Sequence, residues 1–193
     1  MLRVASLGKI ISKNWIGALV DNEAILMTCL FHDIAKPITF DPQQQSKYGM
    51  NEGQIQDLIR SQKILIKKYG PTEHNATLAI SKEVGLNEET LRALDNFEWG
   101  NLTRLFEQND LNSLIPLYCD MRIGLKGILS SEERLADLNQ RIENKNHNDH
   151  LKDGILLKDV VEKNVNINLN EISDEQINAN FEYLTNYIIN PHN

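Results

Sequence analysis

The chain has 193 residues, 41% of them hydrophobic and 24% charged, which suits a globular domain of ordinary size and not a disordered or collagen-like chain. No apolar run approaches the roughly 20 residues needed to span a bilayer, and the first fifteen residues, with Arg3, Lys9 and Lys13 among the apolar positions, lack the apolar stretch of a secretion signal. A formal charge of −7 and an isoelectric point near 5.2 argue against wrapping duplex nucleic acid, though a small anion held by a local basic cluster stays compatible.

Helical periodicity dominates. Leu2, Ala5, Leu7, Ile10, Ile11 and Trp15 place a first helix over 2–18. A second spans 22–35 and stops at Pro37, because the residue before a proline avoids the helical region. The polar stretch 40–53, with Gln43, Gln44 and Gln45, reads as a loop. An amphipathic helix follows over 54–69 and ends at Gly70-Pro71. Shorter helices over 72–84 and 88–97 are separated by Gly85, with Asn87 placed to cap the second.

Another helix covers 111–124. Ser130 and Glu133 form a capping box that opens a polar helix through 143. The Asn- and His-rich stretch 144–150 reads as a flexible turn. Helices over 151–163 and 173–189, the latter opened by Ser173 and Gln176, complete the chain, and only 165–169 hints at a strand. Cys29 and Cys119 both lie in apolar runs, as buried reduced thiols do, which suggests the cytoplasm. The expectation is an all-α protein with a helical domain over 1–143 and a helical appendage over 144–193 packed on it.

Chemistry concentrates at two places. The second helix is apolar on every side for three turns, which marks it as buried, and it ends in His32-Asp33. The helix around Asp120 repeats the pattern, with one aspartate amid Leu114, Ile115, Leu117, Tyr118, Cys119 and Met121. A buried ionised carboxylate needs a partner. A divalent cation is one partner that suits imidazole nitrogen and carboxylate oxygen together. The plain alternative is ion pairing of Asp33 and Asp120 with Lys36, Arg122 or Arg134, in a helical scaffold without metal.

The stretch Leu30-Phe31-His32-Asp33-Ile34-Ala35-Lys36-Pro37 resembles the motif of the HD-domain metal-dependent phosphohydrolases. Tyr118-Cys119-Asp120-Met121-Arg122-Ile123-Gly124, with Gly127 to Leu135 after it, is similar to the segment carrying the last metal aspartate in a bacterial subgroup of that family. The resemblance covers about residues 1–143. It implies an HD-domain-like helical bundle and a hydrolase that cleaves a small phosphorylated substrate, with a nucleotide among the candidates.

Carried over by position, His32, Asp33 and Asp120 match metal ligands, for one or two divalent ions of Mg, Mn, Fe, Ni or Zn. The resemblance puts a further ligand, a histidine, a few residues before a stretch like Leu2-Arg3-Val4-Ala5, where this sequence has no counterpart. That leaves either a late start or an incomplete site. His74 matches a region that contacts a second metal or the substrate, and so joins both the metal and the catalytic sets. Asp33 doubles as a candidate for orienting the attacking water, and Lys36 and Arg122 as candidates to bind phosphate oxygens. His147 and His150, flanked by Asn and Asp, are discounted as exposed and flexible, and His192 for its place near the end of the sequence. The alternative function is a catalytically inactive HD domain acting as a binding or regulatory module. No membrane partner is expected, and the reading allows for a homodimer.

Overall fold

The structure, a computed structural model, describes residues 1–124, 127–141 and 147–189. Eleven α-helices make up the described fold: α1 (Leu2–Lys13), α2 (Asn22–Phe31), α3 (Glu52–Tyr69), α4 (Glu73–Val84), α5 (Glu88–Asp95), α6 (Leu102–Gln108), α7 (Leu111–Arg122), α8 (Ser131–Arg141), α9 (His147–Glu162), α10 (Asp174–Asn178) and α11 (Phe181–Thr185). The fold is all-α apart from a two-stranded antiparallel hairpin, β1 (Ile123–Gly124) and β2 (Gly127–Ile128). None of the described helices is long and apolar enough to cross a membrane.

Helices α1, α2 and α7 pack on one another at the centre, and α5 lies against α2. Their contact is close because Gly8 carries no side chain. A Cβ there would meet Cys29 Sγ at 2.9 Å, with Cys119 Sγ also within 4 Å. Both cysteines are free and buried. Burial, together with the neighbouring Cys29, pushes the Cys119 thiol well above the ordinary range.

Helix α7 is the most enclosed of these. Ten of its twelve residues are buried, Pro116 included, and Asn112 and Asp120 are the two that reach outward. Side chains after residue 147 enter the same core, among them Leu157, Val161, Leu169, Ile177 and Leu184.

A smaller cluster carries the site's outer wall. Ala35, Ile38 and Ala76 are buried there against Leu65, Tyr69 and Ile80, which ties α3 and α4 to the chain just after α2. Gln62 of α3 donates to Pro37 O at 2.8 Å and Phe40 O at 2.7 Å.

Several boundaries differ from the periodicity reading. Helix α1 stops at Lys13, where Asn14 caps it, and Trp15 then bridges Val165. That single bridge is all the 165–169 strand hint amounts to. Helix α2 ends at Phe31, since bonds such as Lys36 N–H to Asp33 O tighten the chain into single turns ahead of a 3-10 helix at Lys36–Thr39. The polar 40–53 stretch holds a 3-10 helix, Pro42–Tyr48, capped by Asp41. Helix α6 and the hairpin were unforeseen.

The last expected helix is two pieces, α10 and α11, and residues 147–150 belong to α9 where a turn was expected. Residues 142–146, which carry the rest of that turn, the end of the polar helix and the proposed domain boundary, lie outside the described residues, as does His192. The caps at Asn87, Ser130 and Ser173 form as read: Asn87 accepts from Thr90 N–H, and the other two close reciprocal boxes.

Candidate metal centre

His32 follows α2 directly and is all but enclosed, its side chain 3% exposed. Its ring lies against Phe97, with centroids 4.8 Å apart. Nδ1 sits 2.9 Å from Cys29 O. A carbonyl oxygen only accepts, so Nδ1 carries a proton and donates, and Nε2 is the ring's other edge. That edge faces Asp120 Oδ1 at 3.4 Å and Asp33 Oδ2 at 3.6 Å. With no proton on Nε2 three acceptors converge, an arrangement that a cation between them, a proton or a metal ion, relieves.

The carboxylates were expected to be buried with their helices. Instead Asp33 and Asp120 are 40% and 49% exposed, because each marks the point where a buried helix opens onto a pocket. The pocket measures about 370 Å3 and is lined by His32, Asp33, Lys36, Glu73, His74, Thr77, Leu94, Phe97, Glu98 and Asp120. Its volume lies at the small end of the range for small-molecule sites, about 300–1,000 Å3. Four carboxylates against one ammonium leave it at −3 with both histidines neutral.

Lys36 Nζ lies 3.1 Å from Glu73 and 3.8 Å from Asp33. Burial works against its charge, but the hydrogen bond to Glu73 and the charges of Asp33, Glu73 and Asp120 outweigh it, and its pKa is raised. Thr39 donates to the other Glu73 oxygen at 3.1 Å. Helix α4 also brings His74 to the pocket, with Nε2 3.1 Å from Asp95 and Nδ1 3.7 Å from Glu98.

Four predicted residues therefore meet His32 in one pocket: Asp33, Lys36, His74 and Asp120. Arg122 does not. It is 1% exposed and points into the interior, where it donates to Leu129 O, Tyr118 Oη and Leu169 O and stands 3.8 Å from Glu162. Residues two apart on a helix face different ways, so Arg122 turns its back on the pocket that Asp120 enters. Arg134 is likewise engaged elsewhere, with Met121 O and Asp137. Of the ion pairs offered by the metal-free alternative, the Asp33–Lys36 contact is the one present.

Reading the sequence alone missed Glu73, Thr77, Asp95, Phe97 and Glu98. Glu73 alone had a visible signal, as the neighbour of His74; the others become relevant only once α4 and α5 pack together.

Among the described residues, no group of three or more His, Cys, Asp or Glu side chains is preassembled to hold a metal ion. The donor set nonetheless suits one. Two ligands about 2.1 Å from a tetrahedral ion lie about 3.4 Å apart, close to the spacing from Nε2 to each carboxylate. The backbone acceptor on Nδ1 is also the arrangement that orients metal-binding histidines. Neither a family model nor a curated protein nor a solved structure matches the chain, and the functional reading rests on this geometry and on the two motif resemblances.

Proposed function

We propose that this protein is a metal-dependent phosphohydrolase acting on a small phosphate ester, a nucleotide among the candidates. The observation that carries the reading is His32, its Nδ1 proton committed to Cys29 O and its Nε2 set between two carboxylates. His32, Asp33 and Asp120 would hold the ion, and three protein ligands leave coordination positions open, as in catalytic and not structural sites. A bound divalent cation lowers the pKa of a coordinated water and polarises a phosphoryl oxygen.

Charge supports the same reading. With its histidines neutral the pocket stands at −3 and repels a phosphate dianion, a repulsion that one or two divalent ions would offset or reverse. Lys36 holds Asp33 and Glu73 in place and offers an ammonium at the rim. His74, aligned by Asp95, has the setting of a proton donor to a leaving alcohol. Leu94 and Phe97 give the pocket an apolar wall for the body of the ester.

The test is to strip the protein with a chelator, reload it with Mg, Mn, Fe, Ni or Zn, and follow hydrolysis of p-nitrophenyl phosphate. Metal-dependent turnover that disappears in His32→Ala and Asp120→Asn is the expected result. Protein that takes up no metal in proportion to chain overturns the proposal. Protein that binds metal and phosphate without turnover is the binding module instead.

A further inference from the structure

We infer that the Thr77 hydroxyl is a phosphate-contacting group of this pocket, donating a hydrogen bond to a phosphoryl oxygen of the bound ester. The inference rests on the reading that the pocket takes a phosphate ester, and it names a specificity residue that neither the motifs nor the resemblance supplied. Thr77 lies on α4, four residues after Glu73 and three after His74, so all three share one helix face.

Thr77 lines the pocket and is 4% exposed, and its Oγ1 is buried without a hydrogen-bond partner, so a turn of the side chain about χ1 is what presents the hydroxyl to a ligand. A buried hydroxyl left unpaired is costly, so such a group in a site calls for an explanation. A ligand that completes it is the explanation the surroundings favour.

The other polar groups narrow the ligand. Asp33, Glu73, Glu98 and Asp120 only accept when ionised. Lys36 is paired with Glu73 and Asp33, His32 Nδ1 donates to Cys29 O, and both nitrogens of His74 face carboxylates. Among the side chains lining the pocket, the Thr77 O–H is therefore the buried donor left without an acceptor, beside a Lys36 ammonium whose one hydrogen bond, to Glu73, leaves it further N–H groups to give. A phosphoryl oxygen needs donors, and this pocket has few to give.

Inorganic phosphate is the probe, its affinity measured by calorimetry on metal-loaded wild type, Thr77→Val and Thr77→Ser. The valine matches threonine in shape and lacks the hydroxyl; the serine keeps it. Phosphate binding about tenfold weaker in Thr77→Val is expected, the range of one hydrogen bond to a charged group. Thr77→Ser should stay within about threefold of wild type, and affinity for the metal alone should be unchanged in both. Thermal stability of Thr77→Val should equal or exceed wild type, since no native bond is lost.

Equal phosphate affinity in wild type and Thr77→Val overturns the inference, and so does wild type that binds metal but no phosphate. Failure of wild type to bind metal instead defeats the function proposed above. The Thr77 inference is then decided by the same comparison with phosphate alone, where equal affinities, or no binding, again overturn it.

Discussion

A single hydrogen bond sets the chemistry of His32. Because Cys29 O claims Nδ1, the ring cannot turn Nε2 away from Asp33 and Asp120 without losing that bond. Asp120 itself is half-exposed, so its removal should disturb the metal-free fold little. We expect Asp120→Asn to change metal-free stability by less than about 1 kcal/mol. It should also abolish the metal-dependent gain that the proposed site would give wild type, about 2.7 kcal/mol at a hundredfold excess over Kd. Melting curves with and without chelator check this, and a variant that still gains stability from metal removes Asp120 from the site.

Arg122 has the opposite character. Burial raises the Tyr118 hydroxyl, which stays protonated and donates to Glu162 while accepting from Arg122. Arg122→Ala should cost about 3–5 kcal/mol, since it leaves the buried Leu129 and Leu169 carbonyls without their donor and takes the counter-charge from Glu162, to which only Tyr118 and Ser131 then donate. Urea unfolding measures the loss, and a cost below about 1 kcal/mol would contradict the structural role. His32, Asp33 and Asp120 were legible in the sequence because a polar or ionisable residue in or at the end of an apolar helix is conspicuous. Arg122 misled because adjacency in sequence to Asp120 says nothing about direction around a helix.

At the level of elements, α7 is positioned by the residue just before it as much as by its apolar faces. Asp110 caps it, accepting from Ser113 N–H and Oγ–H, and pairs with Arg92 of α5. Burial pushes the Asp110 carboxyl up, but the bonds from Arg92 and Ser113 outweigh it and hold the pKa below the ordinary value near 3.8. A group with a depressed folded pKa stabilises the fold above its unfolded value and loses that contribution as pH falls through the folded one. Asp110→Asn should therefore cost about 2 kcal/mol at pH 7 and equally at pH 5, with the gap to wild type narrowing by pH 3. Urea midpoints at the three pH values decide it; a gap that widens at pH 3 is incompatible with a depressed pKa.

The caps at Asn87, Ser130 and Ser173 could be read in advance because they are local patterns. Helix α6 could not, as seven residues give under two turns of periodicity and its Leu102 and Leu105 are defined by the core they enter. The continuous pattern through 173–189 hid a break because the chain turns after Asn178 to keep both Ile177 and Leu184 buried.

For the molecule as a whole, the question raised by the composition is where the core ends. Seven side chains after residue 147 are buried in the same cluster as α1, α2 and α7: Leu157, Val161, Val165, Leu169, Ile172, Ile177 and Leu184. The link is also polar, since Ser6 Oγ of α1 donates to Ile177 O at 2.7 Å and Arg122 of α7 donates to Leu169 O. Burying an aliphatic side chain contributes about 1.5 kcal/mol at the low end, so seven amount to roughly 10 kcal/mol as an upper-side estimate. Whole-domain stabilities run about 5–15 kcal/mol. A chain ending at residue 143 therefore forfeits a contribution as large as the stability of the entire fold, and it exposes the apolar faces of α1 and α7 that the lost helices cover. Such a chain is expected to show no cooperative thermal transition by circular dichroism, whereas the full chain melts in one step. A truncated protein that melts cooperatively within a few degrees of the full chain would make the last fifty residues a separable appendage after all, and would place the whole core in the helices before them.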